Sequence, residues 1–297
     1  MGVVNTGFKR RARLLGEALR PPRQLTMAEP KEVRDLKEAK ATPRPPKRTQ
    51  VVDYNVPTMP RQVESPVFVI ASVRSGSTLL RMLLNSHSRI RAPHELHLRT
   101  IGVQLTPGFS EQSMQELGLD QIELEHVLWD RILHLELERS GKDVIVDKTP
   151  GNVFTWERLT YAWPKAKFLI LLRHPEGVVS SLENRKGNTS TREALEANAL
   201  KYFKPLEKAR RTLGGLTVRY EELTAEPERI TREICAYLDV EWEPGMLEYG
   251  KYYHGDFVPN LGDRSDNIKS GRIQAARTFA TVSPSLAKYA KAWGYTT

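Results

Sequence analysis

Val73-Arg74-Ser75-Gly76-Ser77-Thr78 is a run of small polar residues holding one cation. It lies between a continuous apolar stretch over residues 66–72 and a helical stretch over residues 79–84. A strand, a short polar loop and a helix in that order aim the loop amides and the helix N-terminus at one spot, a natural anion site. The phosphate-loop pattern G-x-x-x-x-G-K-[ST], with its second glycine on Gly76, puts its first glycine on Ala71 and its lysine on Ser77; only the hydroxyl survives, as Thr78. The lysine that reaches the β- and γ-phosphates in ATP enzymes is therefore missing. Arg74 offers a cation and a bidentate fork in its place. Arg173 ends a second apolar run, so it belongs at the carboxyl edge of a sheet, where open α/β folds bind ligands. Ser181 follows eight residues later, on the next helix. Two anion grips on neighbouring strand ends fit a nucleotide with a phosphate at each end of the ribose better than a triphosphate.

These residues need a parallel sheet to position them. The stretch over residues 66–72 is rich in β-branched side chains and reads as a strand buried on both faces. Residues 143–147, 167–173 and 216–220 read the same way, with a short strand near 89–91. Helices are expected over 79–84, 153–162, from Pro175 onward, 227–238, 113–139 and 192–211; a proline such as Pro175 sits well at the first helical position. Strands alternating with helices predict an α/β fold, a P-loop-like three-layer arrangement with a central parallel sheet flanked by helices.

Taken together, Ala71-Ser72-Val73-Arg74-Ser75-Gly76-Ser77-Thr78-Leu79-Leu80 resembles the 5′-phosphosulfate loop of sulfotransferases that use 3′-phosphoadenosine 5′-phosphosulfate (PAPS). Arg173 with Ser181, including the eight-residue spacing, is similar to the 3′-phosphate motif of that family. Arg219-Tyr220-Glu221-Glu222-Leu223 is similar to its segment near the adenine, which assigns Tyr220 to the cofactor. The resemblance spans about residues 65–250. It implies transfer of a sulfonate to an acceptor hydroxyl, with Arg74, Ser75, Gly76, Ser77 and Thr78 around the donor, 3′-phosphoadenosine 5′-phosphate (PAP) as the product, and no metal. Many members close the cofactor site with a late Arg-Lys-Gly motif; the nearest counterpart here, Lys269-Ser270-Gly271-Arg272, departs from that pattern.

Sulfonate transfer asks for in-line positioning and for stabilisation of charge on the transferred group and the leaving phosphate. Lys148, just after the strand ending at Asp147, is placed to bring a second cation to the bridging oxygen. An acceptor hydroxyl also needs a base. His94-Glu95-Leu96-His97 offers two candidates, and the segment is similar to those carrying the catalytic Glu in tyrosylprotein sulfotransferases and in sulfotransferase domains of bacterial polyketide synthases. Glu95 is the expected base and His97 the helper or alternative; a buried Glu95 needs a raised pKa or a cationic neighbour. The histidines are three apart rather than four, so this is not the H-E-x-x-H zinc motif. His126 and His134 read as helix-surface or packing residues, His254 as a residue within reach of an acceptor pocket, and Cys235 as a small core residue.

The 45 Lys and Arg against 36 Asp and Glu leave a net charge of +9. Residues 1–64 hold 14 of those cations and 7 of the acids, a net of +7, with 8 of the 19 prolines and two aromatics, Phe8 and Tyr54. That composition predicts a mostly extended tail, with a short helix around residues 11–20, and a folded domain over residues 65–297 carrying only +2. A nucleic-acid partner is not expected, because the folded part lacks a basic stripe with interleaved aromatics. The start Met1-Gly2-Val3-Val4-Asn5-Thr6 fits an acylation pattern followed by Lys9, Arg10, Arg11 and Arg13, a route to peripheral membrane or acidic-partner contact. Charges from Lys9 onward interrupt any leader segment, and a cytoplasmic location is expected. The lone Cys235 forbids an intrachain disulfide and a Cys-based zinc site. The expected acceptor is a hydroxyl of a small molecule or natural-product intermediate, free or carrier-bound; a peptidyl tyrosine and a carbohydrate stay open. The competing reading is a P-loop small-molecule or nucleoside kinase, with Asp147 as the magnesium-binding acid at the end of an apolar strand.

Overall fold

Residues 59–185, 187–256 and 265–295 are described by the computed structural model. The expectations for residues 1–58, the acylation-like start included, lie outside them. The apolar runs become five strands: β1 (Val67–Ala71), β2 (Ile90–Arg91), β3 (Val144–Asp147), β4 (Lys167–Leu172) and β5 (Leu216–Arg219). They form one sheet in the order β2-β3-β1-β4-β5, every pair parallel. Ten helices accompany them among the described residues: α1 (Ser77–Asn85), α2 (Phe109–Glu116), α3 (Gln121–Ser140), α4 (Trp156–Ala162), α5 (Pro175–Glu183), α6 (Arg192–Thr212), α7 (Tyr220–Ala225), α8 (Pro227–Leu238), α9 (Asp266–Lys269) and α10 (Pro284–Ala292).

The expected three-layer α/β arrangement is borne out, and side-chain alternation shows why the strands are apolar throughout. Phe68, Ile70, Phe168, Ile170 and Leu172 enter the core shared with α3, α4, α5, α6 and α10. Val67, Val69, Ala71, Leu169 and Leu171 enter the opposite core with α1 and α8. A period-two chain with helices on both faces has no wet side to make polar. Burying each such side chain stabilises the fold by about 1.5–3 kcal/mol.

Two departures from the expected elements have local causes. The helix expected over 113–139 is two helices. Gly118 turns left-handed at φ 69°, and the Asp120 carboxylate then accepts from the Glu123 amide at 2.7 Å, starting α3 afresh. No residue of α2 is buried. The helix expected over 153–162 begins as a 3₁₀ turn, Pro150–Phe154, before α4.

Polar groups fix the segments that lead to the sheet edge. Gln62 and Val63 amides donate to Asp130 at 2.7 and 3.1 Å, clamping the lead-in to β1 onto α3. Lys142 Nζ donates to the carbonyls of Asn85, His87 and Ile90, each at 2.9 Å, and so holds the turn from α1 into β2. Lys142→Met leaves those three carbonyls without their charged donor. It is expected to cost about 2–3 kcal/mol of unfolding free energy, read as a lower urea midpoint at unchanged slope.

His126 is fully buried on α3. Arg158 Nε donates to its Nε2 at 2.7 Å, and its Nδ1 faces Glu123 at 3.3 Å, which fixes the neutral Nδ1–H tautomer. Burial, then the Arg158 charge, pulls its pKa down to about 4. The unfolded chain binds a proton near pH 6.5 that the folded chain refuses until about pH 4, so stability falls as pH drops through that window and levels off below it. The expected slope is about 1.4 kcal/mol per pH unit. Urea titrations at pH 4–7 should show it in the wild type and lose that part in His126→Gln.

Candidate active site

The loop from β1 to α1 is shaped by two left-handed residues. Gly76 has φ 85° and Arg74 has φ 60°, a conformation rare outside glycine. Gly76 precedes α1 with no side chain capping the helix, so the first amides of α1 stay available to an anion. A Cβ on Gly76 would lie 2.1 Å from the Tyr220 ring, so only glycine lets that ring lie against the loop. Ser75 is completely buried, and its hydroxyl has no hydrogen-bond partner. Ser77 and Thr78 are buried in the first turn of α1.

Arg173, just beyond β4, is brought against this loop. Its NH1 donates to the Arg74 carbonyl at 2.8 Å, and its guanidinium lies 4.6 Å from the Tyr220 ring centre. Its Nε is buried without a partner, and burial pulls its pKa down. Ser181, on α5, accepts from Arg74 Nε at 3.0 Å; the structure thus joins it to Arg74, where the spacing alone suggested Arg173. Arg74, Arg173, Ser181, Tyr220 and Gly76 form one cluster at the carboxyl ends of β1, β4 and β5.

A second cluster lies at the ends of β2 and β3. Glu95 and Lys148 are directly ion-paired, with 9% and 2% of their side chains exposed. His97 Nε2 lies 3.2 Å from the other Glu95 oxygen and is 42% exposed. Lys148 thereby supplies the cation that a buried Glu95 requires. Burial pulls the Lys148 pKa down, and Glu95 opposes that shift. His97 has φ 51°, and its amide donates to Thr149 Oγ1 at 3.2 Å. Thr149 donates to Asp147 at 2.8 Å and Asn152 donates to the other Asp147 oxygen at 3.0 Å. Asp147 is thus a buried bracket that ties the His97 segment to β3, and burial pushes its pKa up.

Lys269, Ser270, Gly271 and Arg272 lie apart from both clusters in their immediate contacts. Tyr249 Oη lies within donating distance of the Ile268 and Arg272 carbonyls, at 3.3 and 3.1 Å, and a Cβ on Gly250 would lie 2.6 Å from Gly271 Cα. Farther along the same segment, Ala276 donates to Thr224 Oγ1 at 3.2 Å and Phe279 stacks on His174 at 5.3 Å. The segment runs across the strand ends on the Tyr220 and Arg173 side. His254 has both nitrogens engaged: Asn85 donates to its Nδ1 at 3.1 Å and its Nε2 donates to the Tyr249 carbonyl at 2.8 Å. Cys235 lies in the core as expected, its thiol pushed up to about 11 by burial.

A model of the sulfotransferase family matches residues 66–244. The chain belongs to the sulfotransferase family. Similar sequences include protein-tyrosine sulfotransferase 1 of Danio rerio, 27% identical over 207 residues, which cover 63% of this chain and 56% of that protein. Protein-tyrosine sulfotransferase 2 of Gallus gallus is 25% identical over 220 residues, covering 67% and 58%. The chain thus spans a little over half the length of these two relatives. In fold it is similar to the sulfotransferase domain from the curacin biosynthetic pathway, at a TM-score of 0.58 and 22% identity over 78% of this chain and 98% of that domain. The sulfotransferase domain of the Synechococcus PCC 7002 olefin synthase gives 0.55 and 22%, over 80% and 100%.

A buried cation beside the candidate site is not part of any motif. Arg81 is 3% exposed on α1 and donates to the carbonyls of Ala92 at 3.2 Å and His254 at 3.4 Å. Burial, then Arg91, pulls its pKa down to about 10, while Glu95 opposes. Its signal was a lone cation inside the apolar run Leu79-Leu80-Arg81-Met82-Leu83-Leu84. A charge there is kept only when something satisfies it.

Proposed function

We propose that this chain transfers a sulfonate from PAPS to an acceptor hydroxyl. The observation that carries the proposal is a pair of buried, unpartnered groups, Ser75 Oγ in the β1–α1 loop and Arg173 Nε, whose guanidinium also bonds that loop through NH1. Buried polar groups without partners are rare and costly, and a nucleotide with an anionic group at each end of its ribose would offer a partner to each. Arg74, Ser75, Gly76, Ser77 and Thr78 would hold the 5′ side, Arg173 and Ser181 the 3′ phosphate, and Tyr220 the base, with Lys269, Ser270, Gly271 and Arg272 closing from the late segment. When bound, PAPS supplies the sulfonate and a good leaving phosphate. The chain's own part is to take a proton and hold charge. Glu95 accepts the acceptor hydroxyl proton, so that the oxygen attacks as its O–H bond breaks. Lys148 pairs with one Glu95 oxygen and would present a cation toward the reacting centre. His97 orients the second oxygen of Glu95. Tyrosine, small-molecule and carrier-bound hydroxyls all suit this chemistry.

Against the kinase reading, Asp147 is buried and holds Thr149 and Asn152, and Ser77 stands where that motif has its lysine. A thermal-shift assay decides between the two. PAP at about 100 times its Kd should stabilise the fold by about 2.7 kcal/mol. A shift with ATP and Mg²⁺ and none with PAP would sink the sulfonate reading.

A further inference from the structure

Arg99, Phe154 and Tyr202 meet beside Glu95, although they come from three separate parts of the chain. Arg99 follows the Glu95 segment on a 3₁₀ turn, Leu98–Thr100. Phe154 ends the 3₁₀ turn that follows Lys148, and Tyr202 lies on α6. The Arg99 guanidinium is 5.5 Å from the Phe154 ring centre. The Phe154 and Tyr202 rings are 4.9 Å apart, tilted at 56°. Phe154 is 42% exposed, large for an aromatic so close to a buried ion pair.

Electrostatics ties this trio to the proposed base. Burial raises the Tyr202 phenol above its ordinary range; Arg99 opposes that shift and Glu95 adds to it, so both charges act on the same ring. Arg99 forms no ion pair with a carboxylate among the described residues, whereas Arg91 in the same segment is bound to Glu136 at 2.7 Å. An exposed cation on an exposed aromatic face, next to a phenol and a few residues from the base, is complementary to an anion on a mostly apolar frame.

We propose that Arg99, Phe154 and Tyr202 form the acceptor-reading wall of this site and select an acceptor bearing a carboxylate or phosphate group close to the hydroxyl that is sulfonated. This rests on the sulfonate-transfer reading. Arg99 grips the anion, Phe154 supports the apolar frame, and the Tyr202 hydroxyl donates to the same anion. The selectivity is assigned to the acceptor and not to the donor, because the charge that acts on Tyr202 besides Arg99 is that of Glu95, the proposed base.

The test is equilibrium binding to the full chain saturated with PAP, followed by ligand-observed NMR titration. The probes are 4-hydroxyphenylacetate, 4-hydroxybenzylphosphonate and the neutral 4-hydroxyphenylacetamide. At least one anion should bind ten times tighter than the amide or better, and the stronger of the two identifies carboxylate or phosphate as the preferred group. Arg99→Gln should bring that ratio close to one, and Arg99→Lys should keep part of it. The PAP-induced thermal shift should be the same in both variants, which also shows that they fold. Equal binding of anions and amide, no binding of any probe, or a preference that survives Arg99→Gln would overturn the proposal. A missing PAP shift in the wild type would instead be a failure of the sulfonate-transfer reading itself.

Discussion

Glu95→Gln is expected to lower kcat by about 10³-fold while leaving PAP binding within a factor of two or so. Removing a positioned general base costs about 10²–10⁴ in rate. The substitution keeps size and one acceptor oxygen, and the affected group touches Lys148 and His97, not the Arg74 and Arg173 cluster. Lys148 then faces a neutral amide, so the variant should also lose some stability, because a buried ammonium has lost its counter-charge. The measurement is single-turnover sulfonate transfer beside a PAP thermal shift. A PAP shift that vanishes in the variant would make Glu95 a structural residue, and a kcat within tenfold of wild type would transfer the role of base to His97.

Arg173→Ala should abolish the PAP-induced thermal shift at concentrations that saturate the wild type, a weakening of at least about 100-fold. The size follows from two losses. The first is the fork itself, whose charge-assisted bonds to a phosphate are among the strong ones. The second is the bond from Arg173 NH1 to the Arg74 carbonyl, which helps hold Arg74 in its left-handed conformation. A 100-fold loss corresponds to about 2.8 kcal/mol. Arg173→Lys keeps the charge without the fork and should recover only part of it. The comparison variant is Ser181→Ala, which removes one 3.0 Å contact of Arg74 and should weaken PAP several-fold at most. If Arg173→Ala binds PAP as the wild type does, the 3′ grip lies elsewhere in the sheet edge.

The contrast between the two clusters shows what is local and what is not. The glycine at position 76, the hydroxyls around it and Arg74 all lie within one strand–loop–helix unit, so their convergence is legible from spacing. The pairing of Lys148 with Glu95 is not, since 53 residues separate them and the intervening helices have no bearing on it except through the place of β2 and β3 in the sheet. The bond between Arg74 and Ser181 spans 107 residues and exists because β1 and β4 are neighbours. His126 reads from the sequence as a helix-surface or packing residue, and the structure buries it. Its burial depends on Arg158 arriving from α4 to occupy one ring nitrogen.

By itself, the sequence determined the strands and their order of appearance, the polar loop between β1 and α1, and the basic balance of residues 1–64. Continuous β-branched runs, turn chemistry and charge are properties of neighbouring residues and need no third dimension. Tertiary structure alone decided the partners: Ser181 on Arg74, Lys148 on Glu95, Tyr220 against Gly76, and Arg99 with Phe154 and Tyr202. Those contacts depend on which strand lies beside which, and on helices packing over both faces of the sheet. That order is fixed by burying two cores at once, a cooperative property that no short stretch of sequence carries.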